Sequence, residues 1–159
     1  MLLSDNPCAR ALQRAAGYGV ETVVVPRAEF KADPLKTIGL LRSKSIDFIV
    51  LAGFLSLVPV ELVDAYRGRI INIHPALLPA YGGKGMYGDN VHKAVVANGE
   101  KESGITIHAV NELYDSGDII SQHKVAVDPS DTPATLAHKI HELEYEHFPK
   151  VIEEVVSKL

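Results

Sequence analysis

An unbroken run of five hydrophobic residues, FIVLA, between Asp47 and Gly53 constrains the fold more than any other feature of this sequence. Because it is continuous rather than alternating with polar residues, it is typical of a strand covered on both faces. β-branched runs predict further strands at 21–25 and 69–74, and helical spacing predicts helices at 35–41 and 59–66. Strands that alternate with helices predict an α/β fold with a largely parallel sheet.

The ends of the chain follow different patterns. Only Leu2 and Leu3 precede the first helix, so we expect a stub of a strand there, with Asp5 or Asn6 capping the helix. In the second half, a helix at 91–97 precedes strands at 104–110 and 119–127. Their short connection predicts an antiparallel addition at one side of the sheet. A last helix is predicted over 132–159.

Composition narrows the class of protein. The chain has 159 residues, a size that suits one domain, residues 1–159. A net charge of −4 argues against a nucleic-acid partner. A single cysteine, Cys8, allows no internal disulfide, as expected in a reducing compartment. The longest apolar run, 48–55, is far shorter than the ~20 residues that cross a bilayer. We therefore predict a cytoplasmic protein without a membrane partner.

Asn72, His74 and Asp115 are the candidate catalytic residues. Asn72 and His74 close a predicted strand, on the same side of it and about 6–7 Å apart. The carboxyl ends of such strands line the ligand crevice of open α/β sheets. A neutral amide donor beside a titratable imidazole suits acyl transfer, and the carboxylate of Asp115 could orient the histidine. The alternative is that both side chains only satisfy loop backbone.

The sequence NIHPALLP at 72–79 resembles the hallmark segment of formyltetrahydrofolate-dependent formyltransferases. The following AYGGKGMYG, at 80–88, resembles the branch of that family that formylates glycinamide ribonucleotide, and the resemblance extends over 4–159. It implies a Rossmann-like formyltransferase fold, with a mostly parallel twisted sheet, helices on both faces and the antiparallel addition near the C-terminus.

The resemblance also implies an activity in de novo purine synthesis. A formyl group passes from the co-substrate formyltetrahydrofolate to the amine of glycinamide ribonucleotide by direct attack, without a metal. Asn72 matches the residue that binds the formyl oxygen. His74 matches the histidine that stabilises the tetrahedral intermediate and assists proton transfer. Asp115 matches the aspartate that pairs with that histidine and holds it protonated.

Further contacts with the substrates are implied by the same resemblance. Apolar side chains of the 52–58 segment and the loop that follows the strand at 104–110 match the two walls of the folate site. A glutamate and a histidine match residues near the ribose of the nucleotide. These predicted substrate-binding residues are Phe54, Leu55, Val58, His108, Val110, Asn111 and Glu144.

Two other functions stay open. One is hydrolysis of formyltetrahydrofolate, in which water replaces the amine; related hydrolases tend to have a second histidine where Pro75 stands. The other is a folate-binding remnant that transfers nothing. The sequence does not decide whether the chain forms a homo-oligomer.

The start of the chain departs from the family pattern. The family opens with a strand, a turn rich in glycine and serine, and a helix whose N-terminus cradles the substrate phosphate. No residues here match that turn. We therefore expect an N-terminal segment of the family to be missing from this chain, and folate to bind better than the ribonucleotide.

A glycine motif and several histidines resemble cofactor or metal sites, but their sequence contexts do not support such sites. Residues 83–88 spell G-x-G-x-x-G but follow a proline-rich loop rather than a strand, which argues against a dinucleotide. His138, His141 and His147 lack the H-E-x-x-H spacing of a zinc site and are interpreted as a solvated helix face. His92 either caps its helix or contacts substrate, and the first interpretation is favoured.

Overall fold

The computed structural model describes all residues, 1–159, and divides them into two compact units. The first unit consists of Met1–Asp47 and Pro59–Ala65, and the second of Phe48–Val58 and Tyr66–Leu159.

The first unit is built on a β–α–β arrangement followed by helices. Strand β1 pairs with β2 in parallel, so the predicted stub is a paired strand. The elements are β1 (Leu2–Ser4), α1 (Arg10–Gly17), β2 (Thr22–Val24), α2 (Arg27–Ala32), α3 (Pro34–Ser43) and α4 (Val60–Ala65). Helix α2 was not predicted.

The predicted cap of the first helix is wrong. Helix α1 begins at Arg10, and its N-cap residue Ala9 makes no side-chain hydrogen bond. The Oδ1 atom of Asn6 instead accepts a hydrogen bond from the amide of Cys8 at 2.9 Å, which places Asn6 in a turn before the helix. Asp33 does cap α3, because its Oδ1 accepts from the amide of Lys36 at 3.1 Å.

The second unit contains a four-stranded sheet in the order β3-β4-β5-β6. Strands β3 and β4 are parallel, whereas β5 is antiparallel to both β4 and β6. The elements are β3 (Ile49–Leu51), β4 (Ile70–His74), α5 (Asp89–Ala97), β5 (Glu102–Ala109), β6 (Ile119–Ala126) and α6 (Pro133–Val156). The predicted antiparallel pair is present, but antiparallel pairing already begins at β4, because an intervening helix does not by itself fix the direction of the next strand.

The core of the second unit lies where α6 packs on β5. Ile105 and Ile107 of β5 are fully buried, as are Leu136 and Ile140, which lie four residues apart on one face of α6. Burial of each such side chain contributes roughly 1.5–3 kcal/mol. The start of α6 is fixed by Pro133 in its first turn and by reciprocal hydrogen bonds between Thr132 and Thr135. The helix is therefore firmly seated along its first half.

Strand β4 carries two polar side chains, Asn72 and His74, near its carboxyl end. Its apolar residues Ile70, Ile71 and Ile73 are buried and hold the strand in place. Asn72 lies opposite His108 of β5, and His74 lies opposite Thr106. The strand ends at His74, and the chain then turns away into the loop at 75–88. None of the helices has both the length and the apolar character needed to span a membrane.

Candidate active site

A cavity of about 720 Å³ lies at the carboxyl end of β4, within the second unit. Its walls are the segment at 52–55 after β3, the strand end at 72–75, the glycine-rich loop at 83–88 and the face of α6 at 141–149. This volume falls in the range of about 300–1,000 Å³ that small-molecule sites occupy. The strand end is therefore positioned to meet a ligand.

The amide of Asn72 is oriented by His108. The Nδ1–H of His108 donates to the carbonyl oxygen of Ala109 at 2.8 Å. Because a neutral imidazole has one donor and one acceptor nitrogen, its Nε2 then accepts from Nδ2 of Asn72, 3.1 Å away. The second amide proton of Asn72 stays available to an oxygen in the cavity.

His74 is engaged on both sides of its ring. Its Nε2–H donates to the carbonyl oxygen of Tyr81 at 2.8 Å, and its Nδ1 lies 3.6 Å from Oδ2 of Asp115. The ring is 3% exposed. Tyr81 presents this carbonyl from a backbone with φ of 56°, a conformation uncommon outside glycine. The loop after β4 therefore turns back to bind its own histidine.

Burial and the carboxylate of Asp115 act on the pKa of His74 in opposite directions. Desolvation lowers the pKa of His74 below its usual value of 6.5; Asp115 and the hydrogen bond to Tyr81 act in the opposite direction, and His108 reinforces the lowering. Burial therefore opposes the effect expected of Asp115, and the role of Asp115 in holding His74 protonated stays a prediction.

Asp115 connects both histidines to the glycine-rich loop. Its Oδ1 lies 3.7 Å from Nε2 of His108, and its Oδ2 accepts a hydrogen bond from the amide of Gly83 at 2.9 Å. Asp115 has φ of 50°, the left-handed region, which aspartate tolerates better than most residues. The turn requires glycine at position 117, because a Cβ there would lie 1.9 Å from the carbonyl oxygen of Ala109.

Thr106 fixes the chain just beyond His74. Its hydroxyl donates to the carbonyl oxygen of Ala76 at 2.6 Å and accepts from the amide of Leu78 at 2.9 Å. The side-chain amide of Gln122 also donates to this hydroxyl at 2.9 Å. The residue is fully buried, so these bonds form in a site from which water is excluded.

A second, smaller cavity of about 40 Å³ adjoins the first. The two share Phe54, Asn72 and Asp115 in their linings. The smaller one is also lined by Val58 and by the loop that begins at Val110. Its walls combine apolar side chains with the polar end of the strand.

The structure brings all the predicted site residues to these two cavities. Asn72, His74 and Asp115 lie together, as their predicted roles require. The larger cavity is lined by Phe54, Leu55, Asn72, His74, Asp115 and Glu144. The smaller one is lined by Phe54, Val58, Asn72, His108, Val110, Asn111 and Asp115. His108, which was predicted near the ribose, lies beside Asn72 in the lining of the smaller cavity.

Glu144 faces the larger cavity from α6. Burial raises the pKa of its carboxyl above the usual 4.5, and the nearby His141 partly offsets this effect. His141 is exposed, as predicted for a solvated helix face, and it also lines this cavity. The spacing of His141 and Glu144, three residues apart on a helix, could have indicated this shared face.

His92 lies at the site but is not among the predicted catalytic or substrate-binding residues. It lines the larger cavity from α5, is 3% exposed, and its Nδ1 has no hydrogen-bond partner. It does not cap the helix, because the N-cap residue is Gly88. The favoured interpretation of His92 as a cap is therefore wrong.

Comparison with known proteins agrees with this geometry. The sequence model of the family described as "Formyl transferase" matches residues 1–152. The chain belongs to the formyl transferase family. The α/β architecture and the resemblance seen in the sequence are thereby confirmed.

Individual members of the formyl transferase family show the same likeness. The chain is 43% identical over 156 residues to the phosphoribosylglycinamide formyltransferase, chloroplastic, of Arabidopsis thaliana, covering 96% of this chain and 53% of that protein. It is 36% identical over 160 residues to the phosphoribosylglycinamide formyltransferase of Bacillus subtilis (strain 168), covering 99% and 80%. The crystal structure of phosphoribosylglycinamide formyltransferase from Bacillus halodurans matches with a TM-score of 0.87 and 34% identity, over 99% of this chain and 80% of that one. The chain thus spans about half the length of the plant relative.

Proposed function

We propose that this chain transfers the formyl group of formyltetrahydrofolate to the amine of glycinamide ribonucleotide. The observation that carries the proposal is the convergence of Asn72, His74 and Asp115 beside a cavity of about 720 Å³. Relatives with similar sequences are named phosphoribosylglycinamide formyltransferase, which supports the choice of acceptor.

The chemistry follows from the groups available. The amine nitrogen attacks the formyl carbon, a C–N bond forms, and the formyl oxygen takes up negative charge. The free proton of the Asn72 amide donates to that oxygen, because His108 holds the other proton. Collapse of the intermediate breaks the bond to the folate nitrogen, which receives the proton that the amine releases. His74, once its Nε2–H leaves the carbonyl of Tyr81, donates to the same oxygen.

Each substrate has residues of suitable chemistry. The apolar side chains of Phe54, Leu55 and Val58 offer a surface for the ring system of the folate. The carboxylate of Glu144, which also lines the larger cavity, offers acceptors for ribose hydroxyls. The proposal treats formyltetrahydrofolate as a co-substrate and assigns no step to a metal ion.

The proposal extends to the setting of the reaction. It assigns residues 1–159 to one formyltransferase domain that works in the cytoplasm. Its partners are the two small-molecule substrates rather than nucleic acid or a membrane, and the proposal requires no homo-oligomer. A chloroplastic relative shows that other compartments occur in the family.

A product assay distinguishes the proposal from its two alternatives. Formation of tetrahydrofolate is followed spectrophotometrically with and without glycinamide ribonucleotide. Product that appears only with the ribonucleotide supports transfer. Product in both reactions indicates a hydrolase, and product in neither indicates a folate-binding protein without catalysis. A His74→Ala variant, purified in parallel, controls for contaminating activity.

A further inference from the structure

Tyr81 has a side chain to which the proposed mechanism gives no role. Its ring is half-buried and packs against the hydrophobic core of the second unit. Its hydroxyl donates to Oε1 of Glu100 at 2.6 Å and accepts from Nδ2 of Asn98 at 2.8 Å. Burial and the hydrogen bond to Glu100 raise the pKa of Tyr81, and the hydrogen bond from Asn98 acts in the opposite direction. The hydroxyl therefore keeps its proton at neutral pH and can make both bonds.

Both partners of this hydroxyl lie at the end of a well-packed helix. Asn98 is the C-cap residue of α5, and the amide of Glu100 donates to the carbonyl oxygen of Val95 at 3.3 Å. Val91 and Val95 are fully buried and hold α5 in the core. The side chain of Tyr81 therefore ties the loop after β4 to the end of α5.

The backbone of Tyr81 lies against His74. Its carbonyl oxygen accepts from Nε2–H of His74 at 2.8 Å, from a residue with φ of 56°. A left-handed conformation of this kind persists where surrounding contacts hold it. Two residues further on, the amide of Gly83 donates to Oδ2 of Asp115 at 2.9 Å. The segment at 81–83 is thus tied at one end to α5 and at the other to Asp115.

Two acceptors face the single ring proton of a neutral His74. The carbonyl oxygen of Tyr81 lies 2.8 Å from Nε2, and Oδ2 of Asp115 lies 3.6 Å from Nδ1. Only the first distance falls in the range of about 2.7–3.2 Å that N–H···O hydrogen bonds have. A carbonyl oxygen accepts and cannot donate, so this bond exists only while Nε2 carries the proton. The proposed mechanism uses this same proton, which His74 gives to the formyl oxygen as a hydrogen bond.

We propose that Tyr81 is a positioning residue. Its hydroxyl, held at the end of α5, keeps its carbonyl where it fixes the proton of His74 on Nε2. Without the hydroxyl the carbonyl moves away, and in part of the molecules solvent removes the proton from Nε2 and returns one to Nδ1, which faces Asp115. The ring stays neutral, but Nε2 then has no proton to donate to the formyl oxygen. This inference rests on the proposed function.

The test compares Tyr81→Phe with the wild type in the full chain. Phenylalanine keeps the ring that packs on the core and removes only the hydroxyl. Nitrogen NMR of the ligand-free protein at about pH 8, where a histidine with a lowered pKa is neutral, shows which ring nitrogen carries the proton. The His74 signals are those absent from His74→Ala. We expect Nε2–H in the wild type and a mixture of Nε2–H and Nδ1–H in Tyr81→Phe.

Steady-state kinetics supplies the second measurement on Tyr81→Phe. Because the segment at 81–83 keeps its bond to Asp115, the loss should be partial rather than complete. We expect kcat to fall about 5- to 10-fold, as for the loss of two hydrogen bonds near the surface, while KM for both substrates stays within about twofold.

Glu100 supplies a rescue pair. Glu100→Gln keeps an acceptor for the hydroxyl of Tyr81, and Glu100→Ala removes it. We expect Glu100→Ala to change the His74 signals and kcat in the same direction as Tyr81→Phe, and Glu100→Gln to restore most of both. Glu102→Ala is the matched control, since it removes the same charge two positions away, where the carboxylate pairs with Lys124 at the surface.

Several outcomes would overturn the inference. Unchanged His74 signals in a folded Tyr81→Phe protein exclude the role of the hydroxyl, and so does a loss of kcat that Glu102→Ala shares. In both cases the wild type still transfers the formyl group, so the proposed function stands. A wild type that makes no product with the ribonucleotide overturns both. If Tyr81→Phe fails to fold, as thermal melting would reveal, Glu100→Ala decides the question by the same two measurements.

Discussion

Nε2 of His108 lies 3.1 Å from Nδ2 of Asn72, across the register pair that joins β4 to β5. Because Nδ1 of His108 donates to the carbonyl of Ala109, the direction of this hydrogen bond is fixed. The bond therefore selects one of the two orientations of the Asn72 amide. A proton of Asn72 is aimed at the cavity only in this orientation, so His108 is a positioning residue.

Replacement of His108 by alanine should lower the turnover number more than it changes substrate affinity. The Asn72 amide would lose its partner in a nearly closed site, at a cost of about 1–3 kcal/mol, and could rotate away from the reacting oxygen. We expect kcat to fall roughly 10- to 100-fold while KM for the ribonucleotide stays within a few fold. Steady-state kinetics measures both, with His138→Ala as the matched control. An unchanged kcat would show that the hydrogen bond to His108 is not required to orient the Asn72 amide.

Removal of the imidazole of His74 should nearly abolish activity. The His74→Ala variant loses a donor close to the reacting centre and the link between Asp115 and Tyr81. Loss of such a group typically costs 10²–10⁴-fold in rate, and we expect a fall in kcat of about that size. Circular dichroism and thermal melting establish that the variant is folded. A folded His74→Ala protein with the wild-type rate would exclude this histidine from the mechanism.

The sequence predicted the residues of the site better than it predicted their contacts. Asn72 and His74 could be placed because they lie two positions apart on one strand whose other residues are all isoleucine. Asp115 was suggested by its place in a loop before Ser116 and Gly117, but its pairing with His74, 41 positions away, received its support from the resemblance. The hydrogen bond from His74 to the carbonyl of Tyr81 and that from Gly83 to Asp115 depend on loop closure, which no local pattern reports.

The errors have a common physical origin. Asn6 was predicted to cap a helix and instead closes a turn before it, because the same side chain can make either hydrogen bond. Asp115 was expected to hold His74 protonated, and the burial that opposes this effect is a property of the folded state that no local pattern reports. His92 and His141 look like ordinary helix residues until α5 and α6 face the same cavity.

Loss of the Glu144 carboxylate should weaken the binding of the ribonucleotide and leave the binding of the folate unchanged. We expect Glu144→Gln to raise KM for glycinamide ribonucleotide about 10-fold, since a charge-assisted hydrogen bond is worth roughly 1.5–3 kcal/mol and an amide oxygen replaces part of it. The value of KM for formyltetrahydrofolate should not change. Glu142→Gln, two residues away on the exposed side of α6, is the control. An equal rise of both KM values would argue that the variant disturbs the helix rather than a ribose contact.

Gly117 should be essential for activity because there is no room for a side chain at this position. A Cβ at Gly117 would lie 1.9 Å from the carbonyl oxygen of Ala109, so the loop that carries Asp115 would have to move. A displacement of about 1 Å at a catalytic group can cost 10²-fold, and we expect a loss of about this size in kcat for Gly117→Ala.

Gly39→Ala is the matched control for Gly117→Ala. It lies in α3 with no atom within 4 Å of the added Cβ, and alanine there should raise helix stability by about 1 kcal/mol. Kinetic assays and thermal melting of both variants check the pair. Normal activity in Gly117→Ala would mean that the turn at 115–117 adapts without moving Asp115.

The stability of the protein should fall as the pH drops below about 6.5. The pKa values of His74, His92 and His123 are lowered, in each case mainly by burial. A histidine with a lowered pKa binds its proton more readily in the unfolded chain, so its contribution is complete above about pH 6.5 and is lost as the pH falls through the folded value. The raised pKa of Glu144 acts in the opposite direction, but it is a single group.

His123 offers a way to isolate part of this pH effect. Its ring stacks on that of His147 with 3.7 Å between the ring centroids, so a proton on either ring meets the other at close range. Urea unfolding at a series of pH values should show a shallower decline for His123→Gln than for the wild type, whereas His138→Gln keeps the wild-type slope. A stability that rises as the pH falls from 7 to 5.5, or a His123→Gln curve that parallels the wild type, would contradict the assignment.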